Sequence, residues 1–192
     1  MVKINPELQN IENLANLLKS AKLSVIASRP GMGKRDIAFA ICSHLSDKMN
    51  IPFCFFSHKK EISYKGKQIP LVDIRQSFEI LLEKAEEMAE KQNVRLFVFD
   101  YLQIIDPPRN TKGNILEAWK AMICSLKDFA ERKNVTVLLI SQLPSSVDKR
   151  DDPKPVLSDL EACGIDKEIT DLVIFLKKSL YAEEIVMEIA LN

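Results

Sequence analysis

Runs of apolar residues as long as a β-strand recur along the chain, separated by stretches with helical spacing. Five of them are apolar throughout or nearly so, which is typical of strands buried on both faces of a parallel sheet. These predicted strands are Leu23–Ala27, Ile51–Phe56, Val94–Phe99, Val135–Ile140 and Leu172–Leu176. A sixth run, Ile185–Leu191, predicts a last strand at an edge of the sheet.

Apolar residues three or four positions apart predict helices between these strands. One series runs from Phe78 to Met88, another runs from Ile115 to Phe129, and a first helix is predicted from Pro6 to Ser20. Helices that alternate with buried strands indicate a three-layer α/β fold with a mainly parallel central sheet. No internal boundary interrupts the pattern, so we expect residues 1–192 to form a single domain with residues 1–20 as its N-terminal helix.

Three polar loops follow predicted strands, at residues 57–68, 106–114 and 144–155. Because parallel strands end at the same edge of a sheet, these loops are expected to gather there. Ligands of open α/β sheets bind at this carboxyl edge. The residues that end each strand are therefore the candidates for a functional site.

Composition narrows the class of protein without identifying it. The chain has 192 residues, with 27 Lys and Arg against 27 Asp and Glu, so its formal net charge is zero. A neutral chain is not expected to coat nucleic acid through bulk charge, although a local basic face is compatible with it. No apolar run approaches the ~18 residues of a membrane-spanning helix, and the start of the chain has no signal-peptide pattern. The cysteines are scattered without a C-x-x-C pair, which favours free thiols in a reducing cytoplasm over a zinc ribbon or a disulfide scaffold.

The first predicted strand leads into the segment Ser28-Arg-Pro-Gly-Met-Gly-Lys34, which we call the phosphate loop, and a helical pattern follows. A strand, a tight glycine-bearing turn and a helix N-terminus are the setting that a P-loop requires. Gly31 and Gly33 allow backbone N–H groups to turn inward around phosphate oxygens, and Lys34 would reach the terminal phosphates. The alternative is a helix-capping turn that happens to precede a lysine.

The phosphate loop departs twice from the P-loop pattern G-x-x-x-x-G-K-[ST]. Ser28 stands in place of the first glycine, which is a mild change. Arg35 stands in place of the hydroxyl that coordinates Mg²⁺. A guanidinium has no lone pair for a cation and would repel it, whereas it is well suited to contact phosphate directly.

Asp100 ends the apolar run that begins at Leu96. A carboxylate at the end of a buried strand beside a P-loop strand is the Walker B arrangement, which holds Mg²⁺ directly or through water. We therefore predict that Asp100 is the metal-binding residue. The alternative is an Asp that only caps the next turn.

Further motifs follow in a fixed order: FDYLQI at Phe99–Ile104, SLK at Ser125–Lys127, SQL at Ser141–Leu143, and KPVLSDL at Lys154–Leu160 with Gly164 and Asp171 after it. With the phosphate loop, they resemble the C-terminal, RecA-like motor domain of DnaB-family replicative helicases. The resemblance covers roughly residues 20–190. It implies a RecA-like P-loop fold and a protein linked to DNA replication that binds ATP.

The resemblance also implies roles for individual residues. Lys34, Asp100 and Gln142 would be the catalytic set, with Gln142 as the sensor of the terminal phosphate. The nucleotide would be bound by Arg29, Pro30, Gly31, Met32, Gly33, Lys34 and Arg35. The loops at residues 106–114 and 144–155 match those that face DNA in the helicase ring. Their cations are Arg109, Lys112, Lys149, Arg150 and Lys154, which on their own pattern are equally typical of solvated loops.

Several positions depart from the family pattern. The second strand ends Ser57-His-Lys-Lys60, so Lys59 occupies the position of the family's catalytic glutamate. A cation does not serve as that base at neutral pH unless it is strongly desolvated. Cys124 replaces the arginine of the family's S-R-x-L-K motif. We expect the chain to lack the family's arginine finger, N-terminal helical domain and ring-forming linker.

Two hypotheses follow from this comparison. In the first, the chain is a DnaB-type ATPase core that binds ATP, with Mg²⁺ dependence in doubt, and hydrolyses it poorly. In the second, it is a catalytically inactive RecA-like module that acts through DNA or protein. A RecA-like ATPase of another type is a weaker alternative. Under either main hypothesis we expect a cytoplasmic protein that is a monomer or a weak homo-oligomer. Its expected partners are single-stranded DNA and replication or mobile-element proteins, and no association with a membrane is expected.

Overall fold

A computed structural model describes residues 8–61, 63–64, 67–108, 113–178 and 185–191. Its helices are α1 (Leu8–Ser20), α2 (Lys34–Met49), α3 (Phe78–Lys91), α4 (Ile115–Lys133) and α5 (Ser158–Glu161). Its strands are β1 (Leu23–Ser28), β2 (Phe53–Ser57), β3 (Ser63–Tyr64), β4 (Lys67–Gln68), β5 (Leu71–Asp73), β6 (Leu96–Asp100), β7 (Thr136–Gln142), β8 (Leu172–Lys178) and β9 (Ile185–Leu191). Short 3-10 turns lie at Leu102–Ile104 and Ser145–Lys149.

The central sheet contains seven strands in the order β5-β2-β6-β7-β1-β8-β9. All neighbouring pairs are parallel except β8 and β9, which are antiparallel. The predicted α/β fold with a mainly parallel sheet is therefore confirmed, and the run Ile185–Leu191 forms an edge strand as predicted. The strand β5 and the separate β3–β4 hairpin were not predicted, because strands of two or three residues leave no periodic pattern.

Side chains that alternate along each strand separate two apolar layers. On β6, Phe97 and Phe99 pack towards α3 and α4, whereas Leu96 and Val98 pack towards α1 and α2. Both sets are fully buried or nearly so, which explains why the strand is apolar throughout. The sheet is thus the middle of three layers.

The edge at which β1, β2, β6 and β7 end collects the polar residues that the sequence singled out. Ser28, Ser57, Asp100 and Gln142 are the last residues of these four strands. The strands on both sides of β7 place Asp100 beside Ile140 and Ser28 beside Gln142. Within the described residues, none of the helices combines the length and the apolar character required to cross a lipid bilayer.

Candidate functional site

The phosphate loop joins the end of β1 to the start of α2 through a turn with two glycines in the left-handed region. Gly31 has φ 77° and Gly33 has φ 72°, a backbone conformation that strains other residues. The N–H groups of residues 31–33 have no acceptor among the described residues, and the N–H groups of the first turn of α2 have no partner within the helix. These donors form a cradle of the kind that binds phosphate.

Lys34, the first residue of α2, turns its side chain back onto this loop. Its Nζ donates to Ser28 O at 3.1 Å, to Ser28 Oγ at 3.0 Å and to Arg29 O at 3.1 Å. Burial lowers the pKa of Lys34 to about 8, an effect that nearby Asp100 opposes and that Arg29 and Arg35 reinforce. The cation is therefore held beside the cradle and is easier to deprotonate than an ordinary lysine.

A cavity of about 490 Å³ opens beside the phosphate loop. Its lining includes residues 30–36, Asp100, Tyr101 and Gln142. Lys34, Asp100 and Gln142 thus lie around one space, as the sequence led us to expect. Arg29 does not line it, because its guanidinium donates to Asp148 at 2.7 Å and to Leu143 O at 2.6 Å.

Arg35 forms an ion pair with Asp100 through Nε and Oδ2. Ser57 Oγ donates to the same carboxylate oxygen at 3.0 Å. Asp100 is only 3% exposed, so the guanidinium and the hydroxyl supply the charge and the hydrogen bond that water would give an exposed carboxylate. This arrangement does not fit Mg²⁺, because the guanidinium holds a fixed positive charge against the carboxylate that would bind the metal and, with the Ser57 hydroxyl, occupies one of its two oxygens. The described residues also contain no group of three or more His, Cys, Asp or Glu side chains able to hold a metal ion.

The position that the family fills with a glutamate lies outside this cavity. Lys59 is exposed, and its backbone N–H donates to Ser57 Oγ at 3.4 Å. Glu61, two residues further along, is also exposed and does not line the cavity. No carboxylate other than those of Asp36 and Asp100 lines the cavity among the described residues.

Of the residues predicted to contact DNA, Arg109 and Lys112 lie outside the described residues. Arg150 is bound to Asp159 in a bidentate pair at 2.8 and 2.9 Å, and it also donates to Lys154 O at 2.6 Å. Lys154 pairs with Glu188 of β9 at 3.2 Å. Lys149 is exposed. Two of the three described cations are therefore partly neutralised within the chain.

Sequence reasoning missed the partners of these residues, namely Ser57, Gln103, Asp148 and Asp159. Gln103 lay within the quoted motif DYLQ, which was the signal available for it, but no role was assigned. Its amide forms hydrogen bonds with the main chain of Gln142. Asp159 lay within the quoted motif KPVLSDL and Ser57 within the quoted segment Ser57-His-Lys-Lys60, but no role was assigned to either. Asp148 had no such signal, because an acid that pairs with an arginine far away in sequence leaves no local pattern.

Comparison with known proteins adds an independent line of evidence. Residues 63–190 match the family described as the DnaB-like helicase C terminal domain. Replicative DNA helicase DnaB of Mycoplasma genitalium is 26% identical over 210 residues, covering 88% of this chain and 45% of the relative. A probable replicative DNA helicase of Trieres chinensis is 26% identical over 211 residues, covering 90% of this chain and 46% of the relative. The chain thus spans about half the length of these curated relatives.

Two solved structures have the same fold. One, an ATPase domain, superposes with a TM-score of 0.69 at 22% identity, covering 83% of this chain and 70% of that chain. The other is a DnaB-like replicative helicase studied for its interactions with primase, also with a TM-score of 0.69 and 22% identity, of which 48% is covered. At this identity the likeness establishes the RecA-like fold.

Proposed function

The chain belongs to the DnaB-like helicase C-terminal domain family, and we propose that within it this protein binds nucleotide without Mg²⁺ and hydrolyses ATP at close to the background rate. The observation that carries the proposal is the ion pair between Arg35 and Asp100. It puts a side-chain cation at the place where the chemistry of phosphoryl transfer needs a metal ion.

Phosphate binding is supported by the N–H cradle of residues 31–33 and by Lys34 beside it. Arg35 adds a second cation to the same cavity. A guanidinium neutralises phosphate charge and donates hydrogen bonds in a planar fork, and it needs no metal to do so. The site therefore has the donors and the charge to hold a nucleoside diphosphate or triphosphate.

Hydrolysis requires more than binding, because a metal must neutralise developing charge and a base or amide must orient the attacking water. Arg35 supplies charge but has no acceptor for a water, and Lys59 replaces the carboxylate that would orient one. Two unit charges 4 Å apart at an effective dielectric of 20 interact by about 4 kcal/mol, so Mg²⁺ next to the guanidinium is strongly disfavoured. We therefore expect slow turnover with or without the metal.

Calorimetric titration with ATP, ADP and a non-hydrolysable ATP analogue, in excess Mg²⁺ and in chelator, tests binding. Steady-state phosphate release tests turnover. We expect similar affinities in both buffers and release close to that of a Lys34→Ala control. Turnover near the ~1–10³ s⁻¹ typical of enzymes would contradict the proposal. In the wild-type background, Arg35→Thr should make nucleotide binding depend on Mg²⁺. Hydrolysis is expected to rise only when Lys59→Glu is combined with Arg35→Thr.

A second candidate is a module that binds no nucleotide and acts through DNA or protein. It is favoured by Lys34, whose ammonium group already has three oxygen acceptors within the phosphate loop. A lysine whose three N–H donors already have acceptors gains less free energy from a contact with phosphate. The same titration separates the candidates, because this one requires that no heat of binding appear with any nucleotide in either buffer.

The proposal extends to partners by way of the family. We propose single-stranded DNA and proteins of replication or of mobile elements as partners, a cytoplasmic location, and a monomer or weak homo-oligomer. Among the described cations of the 144–155 loop, Lys149 is the one best placed to contact a phosphate backbone, because Arg150 and Lys154 hold acidic partners. DNA binding through this loop is therefore expected to be weak and sensitive to salt.

A further inference from the structure

The sheet has a step at the edge of the cavity, because β7 runs two residues further than β6. Pairing between the two strands ends where Asp100 lies beside Ile140. On its other side, β7 remains paired with β1 as far as Gln142. Leu143 N–H donates to Ser28 O, so the N–H and C=O of Gln142 point the other way, towards the side on which β6 has ended.

The side chain of Gln103 fills this gap. Gln142 N–H donates to Gln103 Oε1 at 3.2 Å, while Gln103 Nε2 donates to Gln142 O at 3.4 Å and to Ser141 Oγ at 2.9 Å. A single orientation of the amide satisfies all three contacts, with its oxygen facing the N–H donor. A primary amide carries the same donor and acceptor as a peptide unit, so Gln103 takes the place of the missing strand residue.

Gln103 reaches this position because the chain turns directly after Asp100. The 3-10 turn Leu102–Ile104 begins two residues beyond the end of β6 and carries Gln103 across to β7. One short segment thus bears both Asp100, which holds Arg35, and the amide that holds Gln142. Gln142 lines the same cavity as the phosphate loop.

We propose that Gln103 is a positioning residue that fixes the main chain of Gln142 and thereby allows its side chain to distinguish a nucleoside triphosphate from a diphosphate. This inference rests on the proposed function, because it requires that nucleotide bind in the cavity. Gln103 itself does not line the cavity, so its effect passes through Gln142. Without Gln103 the Gln142 N–H would lose its acceptor, although Gln142 O would keep the contact from Cys163 Sγ at 3.4 Å. The Gln142 side chain would then be held less firmly, and its contact with a third phosphate would weaken.

The experiment uses three variants of the chain. Gln103→Met keeps the length of the side chain and removes its hydrogen bonds. Gln142→Ala removes the sensing side chain. The double variant, Gln103→Met with Gln142→Ala, completes a double-mutant cycle that measures the coupling between the two residues. The matched control is Gln76→Met, because the amide of Gln76 also donates to a main-chain carbonyl, Asp73 O at 2.6 Å, but lies beside β5, away from the cavity.

Two readouts are measured for each variant. Hydrogen exchange at the Gln142 amide, followed by NMR, reports the contact with Gln103 without any nucleotide. The ratio of the dissociation constants for ADP and the non-hydrolysable ATP analogue, measured by calorimetry, reports discrimination of the third phosphate. The loss of one hydrogen bond changes a dissociation constant by a factor of roughly two to ten.

We expect Gln103→Met to speed exchange at Gln142 and to reduce the preference for the triphosphate by roughly two- to tenfold, with ADP affinity retained. The double variant should lose no more than Gln142→Ala alone, because coupled residues are not additive. Unchanged exchange overturns the inference, as does an equal loss of affinity for both nucleotides or an additive double variant. A wild-type chain that binds no nucleotide overturns the proposed function and the discrimination together, while faster exchange at Gln142 would then still establish the contact.

Discussion

Replacing Arg35 with threonine removes the only cation that contacts Asp100 among the described residues. The carboxylate is 3% exposed and would keep a single hydrogen bond, from Ser57 Oγ at 3.0 Å. Removing one partner of a buried ion pair costs about 3–5 kcal/mol. The Arg35 side chain is 30% exposed, so water reaches this side of the pair and lowers the cost. We expect a loss of about 2 kcal/mol, which for a chain of this size lowers Tm by roughly 4–8 °C.

The introduced hydroxyl changes what the site binds. Thr at position 35 and Asp100 would present two oxygen ligands of the kind that Mg²⁺ prefers. Mg²⁺ at about ten times its dissociation constant would return roughly 1.4 kcal/mol of the lost stability. Wild-type protein should gain nothing, because Arg35 already occupies the carboxylate.

Thermal unfolding followed by circular dichroism, in chelator and in excess Mg²⁺, measures both effects. The matched control is Arg132→Thr, which breaks an exposed pair with Glu86 at 2.6 Å. A pair of that kind is worth about 0–1 kcal/mol. The reasoning is refuted if Arg35→Thr in chelator unfolds at the temperature of the Arg132→Thr control, or if Mg²⁺ stabilises wild-type protein as much as the variant.

Three further predictions concern other ionised groups. The pKa of Lys34 is lowered to about 8, so nucleotide affinity should fall as pH rises from 7 to 9 in calorimetry, whereas Lys34→Arg should show no such fall. Burial acts to raise the pKa of Asp171, but hydrogen bonds from Lys127 and two backbone N–H groups outweigh it and hold the pKa below its ordinary value. The Asp171 side chain is 38% exposed, so solvent screens its charge, and Asp171→Asn should cost only about 1 kcal/mol at pH 7 by urea unfolding. The cost should be smaller as pH falls through the acid range, where wild-type protein loses the same stability. Arg150→Ala should lower Tm, because it removes the cation that pairs with Asp159 and leaves that carboxylate with the Val156 N–H. It should change single-stranded DNA affinity in a fluorescence titration by less than Lys149→Ala does.

The sheet was predictable because each central strand is buried on both faces. Such a strand needs apolar residues at every position, and Phe97 and Val98 meet this need on opposite sides of β6. The strand β5 lacks this signature, since Leu71 and Val72 are only partly buried and Asp73 is exposed. Three residues at the edge of a sheet leave no periodic pattern to recognise.

The convergence of Lys34, Asp100 and Gln142 was also predictable, because each residue ends a parallel strand or begins the helix after one. The partner of Arg35 was not. The sequence indicated a conflict between Arg35 and Mg²⁺ and favoured a contact between Arg35 and phosphate, whereas the structure pairs the guanidinium with Asp100. That outcome depends on the distance between the Arg35 side chain and the groups at the ends of neighbouring strands. This distance cannot be predicted from the residues next to Arg35 in the sequence.

The charges in the cavity give one physical account of its departures from the family. Two cations, Lys34 and Arg35, and two carboxylates, Asp36 and Asp100, line it. With a hydroxyl residue in place of Arg35, the carboxylates would outnumber the cations, and a bound metal would be needed to offset them before any phosphate arrived. Arg35 supplies that charge permanently. A guanidinium, however, has no vacant coordination position, so it cannot hold and polarise a water as a metal does. Under the proposed function, binding and hydrolysis are therefore separable in this chain, and we expect hydrolysis to need a metal ligand at position 35 together with a carboxylate at position 59.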